Sequence, residues 1–270
     1  RYEKKFEKHS LNAFIGYEFL DYVNNALEVY RQDFASNELN QIDAGSRTNL
    51  DNSGSIDEVR AQSYFGRVNY DYAGKYLLEA NLRRDASSKF SPDYRVGYFP
   101  SFSAGWRISN ESFFSNNVDW MSNLKLRASW GQLGNNNVPN FVYVSRITLG
   151  ENYNRAGKII SGAAVTDATN VAIRWESTSE FNIGFDMNFF GKQLLFMTLD
   201  YYDKLTDGIL INVPVSQVFG LDAPITNAGA MRNKELELSI GHDNNFGDFR
   251  YQISGNFAYN NNMTETFPNP

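Results

Sequence analysis

Two-residue alternation of apolar and polar positions runs along most of this chain, and helical periodicity is scarce. Glu180 to Phe189 shows it most plainly: Phe181, Ile183, Phe185, Met187 and Phe189 alternate with Glu180, Asn182, Gly184, Asp186 and Asn188. Successive side chains of a strand point to opposite faces, so this segment predicts a strand with one apolar and one wet face. Phe249 to Asn260 repeats the pattern, with Phe249, Tyr251, Ile253, Phe257 and Tyr259 opposing Arg250, Gln252, Ser254, Asn256 and Asn260. In Asn123 to Gly131, Leu124, Leu126, Ala128 and Trp130 oppose Lys125, Arg127, Ser129 and Gly131. Further strands are predicted at about Ser10 to Phe19, Gln62 to Tyr72, Tyr76 to Arg84, Tyr98 to Arg107, Gln193 to Lys204 and Lys234 to His242. That makes roughly nine strands of about ten residues. Ordinary globular strands average nearer five or six, and strands that cross a bilayer in a barrel need about 9–11.

The connections alternate in length. Leu20 to Ala61 is long and Ala73 to Lys75 is a tight glycine turn; Asp85 to Gly97 is longer. Ile108 to Ser122 breaks the scheme, being neither short nor featureless, with a small helix expected at Glu111 to Phe114. Gln132 to Ser179 is long, Phe190 to Lys192 short, Leu205 to Asn233 long and Asp243 to Asp248 short. Short turns at one rim and long loops at the other are the mark of an outer-membrane barrel, with short periplasmic turns and long extracellular loops. The fold class expected is therefore all-β: an antiparallel up-and-down transmembrane β-barrel, present in part. Alternation with one polar face also suits a soluble β-sandwich. Tyrosines and phenylalanines at strand ends (Tyr70 and Tyr72, Tyr98 and Phe99, Tyr201 and Tyr202) favour the membrane, as an interfacial girdle would. The two readings separate on one point. A soluble domain buries Phe181, Ile183, Phe185 and Met187 in a two-sheet core; a barrel displays them as a lipid-side band around a lumen lined by Asn182, Asp186 and Asn188.

Composition narrows the classes. Phe 21, Tyr 16 and Trp 4 sit beside 32 Asn and 20 Gly, with a mean hydropathy of -0.47 and 270 residues in all. The aromatics are expected mainly on the lipid side and its rims, the asparagines in lumen and loops. No stretch approaches the ~18 consecutive apolar residues of a membrane helix. Cys 0 excludes a disulfide scaffold and a cysteine zinc site. A net charge of -6 without a basic stripe argues against nucleic-acid binding.

Several runs occur in a specific order. Leu82-Arg83-Arg84-Asp85-Ala86-Ser87-Ser88-Lys89-Phe90 precedes Gly97-Tyr98-Phe99-Pro100-Ser101-Phe102-Ser103-Ala104-Gly105-Trp106-Arg107-Ile108. Leu124-Lys125-Leu126-Arg127-Ala128-Ser129-Trp130-Gly131-Gln132-Leu133-Gly134-Asn135 follows. Then come Arg174-Trp175-Glu176, Asn182-Ile183-Gly184-Phe185-Asp186 and Asn227-Ala228-Gly229-Ala230-Met231-Arg232-Asn233-Lys234. Together, over roughly residues 60 to 265, they resemble the barrel of SusC/RagA-type TonB-linked (TonB-dependent) outer-membrane transporters. One departure is Glu235, where the family pattern leads one to expect glycine, and which could alter how that strand begins.

The resemblance implies a plugged barrel of 22 strands, the strand number associated with a plugged lumen. It implies import of oligosaccharides, or of peptides, across the cell outer membrane, driven through TonB. It also implies a SusD-like surface lipoprotein as lid. No plug, TonB box or closing aromatic-terminated strand is recognisable, so residues 1–270 are expected to be an internal barrel piece, cut at both ends. The rival expectation is a soluble all-β glycan-binding or structural domain.

No catalytic motif and no cofactor site is legible, so an enzyme is not expected. His9 and His242 lie at strand ends without a partner motif. Asp51 to Glu58 flanks glycine with oxygen ligands but lacks cation-loop spacing, and reads as a solvated loop. Asn135 to Asn137 and Asn260 to Asn262 read as strand termini and loops. The polar parity collects Arg67, Asn69, Glu79, Arg83, Lys125, Arg127, Asp186, Asp200, Glu237 and Arg250, expected as a hydrated wall whose charges pair across strands and against a plug. Substrate contacts are expected in the loops, where Tyr143, Tyr153 and Phe219 could stack on sugar rings. Trp106, Trp130 and Trp175 are expected in the lipid-facing surface or girdle.

Overall fold

A computed structural model describes residues 1–190 and 194–267. Its strands follow one another as β1 (Tyr2–Phe6), β2 (His9–Tyr30), β3 (Asp51–Tyr72), β4 (Tyr76–Ser87), β5 (Val96–Arg107), β6 (Met121–Asn135), β7 (Glu176–Phe189), β8 (Leu195–Asn212), β9 (Ile225–Phe246) and β10 (Phe249–Thr266). They form one 10-stranded antiparallel sheet in sequence order, a meander without crossovers. The sheet is open, as an arc of barrel wall is.

The register turns the sequence alternation into two continuous surfaces. Opposed residues of an antiparallel pair share a face. One lateral row runs Phe6, His9, Tyr72, Tyr76, Trp106, Leu126, Phe185, Leu199, Leu238, Phe257, crossing every strand. The row one residue over, on the opposite face, runs Leu77, Gly105, Arg127, Gly184, Asp200, Glu237. Among the described residues no second sheet covers the apolar surface. The buried apolar side chains among the described residues are Phe90, Val138, Ile173 and Ala230, the first three of them in loops rather than under the sheet. Phe181 stays 43% exposed. The two-sheet soluble alternative therefore fails, because nothing in the fold removes that face from water; a bilayer does.

Aromatic residues bracket the apolar band. At the short-turn rim Phe6, His9, Tyr72, Tyr76, Trp106 and Phe113 form a chain of ring contacts with centroids 4.7 to 6.4 Å apart. Tyr72 and Tyr64, Trp106 and Tyr98, Phe189 and Phe181, Tyr251 and Tyr259 each lie eight positions apart on the outward face. At ~3.4 Å per residue that is roughly 27 Å along the strand, or about 21 Å of height at a tilt of about 40°, within the ~25 Å apolar band of outer-membrane barrels.

The structure differs from the sequence expectation at several points. There are ten strands in the sheet, not about nine, because the short, charged Tyr2–Phe6 also pairs. Several strands outrun ten residues: β2, β3 and β9 each have 22. The expected Leu20 to Ala61 loop is mostly ladder, with Leu20 opposite Ala61 and Tyr30 opposite Asp51. Polar interruptions such as Asp21 and Asn24 hid it, since a strand projecting beyond the bilayer needs no lipid-facing alternation. Asp51 to Glu58 is accordingly part of β3, its side chains alternating between faces rather than converging on a cation. Asn260 to Asn262 lie inside β10. Glu235 falls mid-strand in β9, so it does not set that strand's start.

The link between β5 and β6 holds a 3₁₀ turn (Ile108–Asn110) and one helical turn, α1 (Ser112–Ser115). The sequence had pointed to a helix here, starting one residue earlier. In the turn Ala73–Lys75, Ala73 and Gly74 have φ of 57° and 66°, both left-handed, as the central pair of a type I′ turn requires. Glu111 ties this rim together. It accepts hydrogen bonds from Lys75 Nζ at 2.8 Å and Trp106 Nε1 at 3.2 Å. Lys75, with Tyr76 and Trp106, holds the Glu111 carboxyl down at about 2. The turn expected at Phe190 to Lys192 and the first residue of the strand expected from Gln193 lie partly outside the described residues.

Candidate functional site

Every one of the ten residues assigned to the polar parity falls on the inner face. Arg67, Asn69, Glu79 and Arg83 sit on β3 and β4, where Arg67 opposes Asn81 and Asn69 opposes Glu79. Lys125, Arg127, Asp186, Asp200, Glu237 and Arg250 continue it on β6 to β10. Their charges pair across strands as expected. Arg83 reaches Glu18 at 3.2 Å and bridges Asp85 on its own strand at 2.8 Å, and Arg67 reaches Glu79 at 3.8 Å. Arg127 holds Asp186 at 3.1 Å and Asp200 at 2.6 Å, while Lys125 lies 3.9 Å from Asp186. Arg250 pairs with Asp243 at 2.6 Å near the β9–β10 turn.

Aromatics also reach this face, which the sequence reading had placed mainly on the lipid side. Phe14, Phe65 and Phe99 line an open groove of ≈ 580 Å³ with Arg67, Arg83 and Glu180. Arg67 lies 5.8 Å over the Phe14 ring and Arg83 5.3 Å over Phe65. A signal for two of them existed in the sequence: the Phe65 and Phe99 rings each face a glycine, whereas Phe14 lies opposite Arg67. A side chain on Gly16 would run into Phe65, and one on Gly134 into Phe99. Glycine opposite a ring leaves the ring flat against the wall, and its phase in the alternation marks the inner face. Such a wall offers apolar faces beside fixed guanidinium groups, a surface able to hold a polar solute with flat faces.

The long loops form a second region. Phe90, Val138 and Ile173 bury one another where the β4–β5 and β6–β7 loops meet, with Val142, Tyr143, Trp175, Leu210 and Ile225 packed around them. Hydrogen bonds stitch the same loops: Ser91 Oγ donates to the Val171 carbonyl at 2.8 Å and Trp175 Nε1 to the Arg95 carbonyl at 3.0 Å. A backbone bridge joins Asp167 to Asp222, so the β8–β9 loop belongs to the same unit. The three loop aromatics part company here. Tyr143 packs on the buried cluster, whereas Tyr153, in the hairpin of residues 153–155 and 158–160, and Phe219 stay 54% and 56% exposed.

Of the tryptophans, Trp106 and Trp130 face outward as expected, Trp130 stacked on Phe102 at 6.3 Å. Trp175 does not. It wedges between Phe90 and Phe99 at 5.2 and 5.4 Å, because its place just before β7 points it into the loop cluster. Of the strand-end aromatics, Phe99 and Tyr202 likewise face inward. His9 and His242 hydrogen-bond Tyr70 and Tyr251 hydroxyls at 2.7 and 2.9 Å, within the rim aromatics. Among the described residues no group of three or more ligating side chains could hold a metal.

Comparison with known proteins agrees with this architecture. The family model described as "TonB dependent receptor-like, beta-barrel" matches residues 3–270. TonB-dependent receptor P3 of Formosa agariphila is 30% identical over 99% of this chain and 27% of its own length. TonB-dependent receptor SusC of Bacteroides thetaiotaomicron is 34% identical over 74% of this chain and 20% of its own. The RagAB peptide importer, solved in a "closed-closed" state, superposes with a TM-score of 0.88 at 27% identity, over 98% of this chain and 29% of that one. The chain thus spans about a quarter of the length of the curated relatives it matches. With its apolar outer band, polar inner wall and long-loop rim, this chain belongs to the β-barrel family of TonB-dependent receptors, of the SusC/RagA type, and resides in the outer membrane.

Proposed function

We propose that this ten-stranded arc is part of the barrel wall of an energised importer that takes up oligosaccharides. The observation that carries the reading is the inner groove, where Phe14, Phe65 and Phe99 stand beside Arg67 and Arg83. Flat apolar faces with fixed donors suit sugar rings, which present C–H faces and rims of hydroxyls. A peptide cargo is the second reading, favoured by the structural match to a peptide importer.

An arc of ten strands encloses no lumen, and its outer ladder edges carry unpaired amide and carbonyl groups that lipid cannot satisfy. The arc therefore works inside a larger closed barrel, with a plug against the polar wall, TonB as energy source and a SusD-like lipoprotein over the long-loop rim. In this reading the inner charges hydrate and orient the wall, and no residue acts as a catalyst.

The test is uptake by cells carrying or lacking the full-length receptor, offered fluorescent oligosaccharides and peptides, with and without TonB. Loss of oligosaccharide uptake in both deletions supports the reading. Uptake indifferent to the receptor or to TonB sinks it, and loss confined to peptides replaces it with the second reading.

A further inference from the structure

We propose that the β5–β6 link, residues 108–120, is a membrane-interface anchor. It lies against the periplasmic leaflet and seats Phe113 and Trp120 at the boundary between phospholipid headgroups and acyl chains.

Three observations lead there. The first is length. The other described connections at this rim, at Glu7–Lys8, Ala73–Lys75 and Gly247–Asp248, are tight turns, and antiparallel neighbours need no more. The extra residues of this link are not required to join β5 to β6. The second is exposure. Phe113 is 59% and Trp120 53% exposed, with Phe190 beside them at 61%. Large rings bury on the order of 150–250 Å² each, and an apolar patch rimmed by polar residues marks a contact surface. The third is continuity. Phe113 lies 6.4 Å from Trp106, and Trp120 stacks on Phe189 at 5.9 Å and 13°. Trp106 and Phe189 both belong to the outward, lipid-facing parity. The link therefore prolongs the lipid-contacting surface rather than starting a separate patch in water.

The polar groups are sorted to match. Glu111, the acidic side chain nearest Phe113 in sequence, is turned back onto Lys75 and Trp106 and is 12% exposed. Ser115, Asn116 and Asn117 remain exposed and uncharged, and Asp119, beside Trp120, is the exposed charge among residues 111–120. A short amphipathic segment with Trp and Phe on one side is the composition that settles in an interface plane. The occupant is therefore a phospholipid surface, with a periplasmic protein as the competing outcome.

The test uses the full-length receptor in phosphatidylcholine proteoliposomes, spin-labelled at Phe113→Cys or, as control, at Asn117→Cys, with any cysteines outside these residues removed. Folding of each variant is checked by its heat-modifiable gel shift. The expected result is a severalfold higher ratio of oxygen to nickel-chelate collisions at 113 than at 117. Equal, water-like ratios at both positions overturn the proposal, and so does shielding of 113 from both reagents, which means protein cover. A second measurement avoids labels. The emission lost in Trp120→Phe should be quenched by brominated phospholipid and spared by aqueous acrylamide; the reverse pattern rejects the anchor. Neither readout depends on the cargo, so this inference can fail while the import reading stands.

Discussion

Arg127 Nη2 donates to Asp200 Oδ2 at 2.6 Å although a whole strand lies between them. β7 separates β6 from β8, and the residue it places between the pair is Gly184. A Cβ there would press into the Asp200 carboxylate and sit 3.0 Å from the Arg127 guanidinium carbon and the Leu199 carbonyl oxygen. The glycine is thus required by space, not by backbone angle. Gly184→Ala should lower stability by about 1–3 kcal/mol through overpacking. Arg127→Met should cost more, about 3–5 kcal/mol, because it strands a carboxylate that is 9% exposed. The double variant Arg127→Met, Asp200→Leu should recover part of that loss. The midpoint of the heat-modifiable gel shift of the full-length receptor measures all three, and additive losses in the double variant reject the coupling.

Adjacent residues on β8 test which face meets lipid. Leu199 is on the outward row and Thr198 on the inner face, opposite Asp186. Arginine at a lipid-facing midplane position costs about 2–4 kcal/mol, while the lumen side tolerates it. Leu199→Arg should reduce barrel assembly or its melting midpoint, and Thr198→Arg should leave both near wild type. Equal damage from the two, or the opposite order, contradicts the assignment of faces.

The loop cluster should behave as a unit separate from the wall. Phe90 is 0% exposed, and Phe90→Ala removes its ring from a site bounded by Val138, Ile173 and Trp175. Core Phe→Ala changes cost about 3–5 kcal/mol. Hydrogen exchange should quicken in residues 88–95 and 136–175 together, with the β6–β7 ladder still protected. Faster exchange confined to residues 88–95 shows that the loops are independent.

Acid should loosen the short-turn rim through Glu111. Glu111 has its carboxyl held at about 2 against an ordinary 4.5, chiefly by Lys75. A depressed carboxylate contributes stability that is complete above its unfolded value and disappears as pH falls through the folded one. The stability gap between wild type and Glu111→Gln should therefore be flat near neutral pH and close between about pH 4.5 and 2. Lys75, raised from 10.5, weakens the contact only on the alkaline side of that value. A gap unchanged at pH 2 removes the ion pair as its source.

Strand existence and face assignment were legible in the sequence wherever the strand lies in the bilayer. Glu180 to Phe189 alternates because lipid presses on one side and water on the other, and its register confirms every position. Legibility ended where that contrast ended. Leu20 to Tyr30 meets water on both faces, so no alternation marked it, although it pairs without a break. Trp175 was misplaced for a related reason: it precedes its strand, and parity does not extend into a loop whose direction is set by packing on Phe90. The inner ring cluster was missed because Phe14, Phe65 and Phe99 break the rule that apolar means outward. Only the glycines facing Phe65 and Phe99 disclose it.

The unequal connections also set an order of assembly. Most neighbouring strands are joined by a few residues, so each hairpin can zip as soon as its two arms exist. β6 and β7 are the extreme, separated by about forty residues, twice the 20 between β2 and β3. Closing so long an excursion rather than a three-residue turn costs about 2 kcal/mol more in chain entropy. Two pre-zippered sheets, β1–β6 and β7–β10, would then meet along a single seam. The buried contact of Val138 with Ile173, one near each end of that excursion, would act as the clasp that holds the seam in register while it closes.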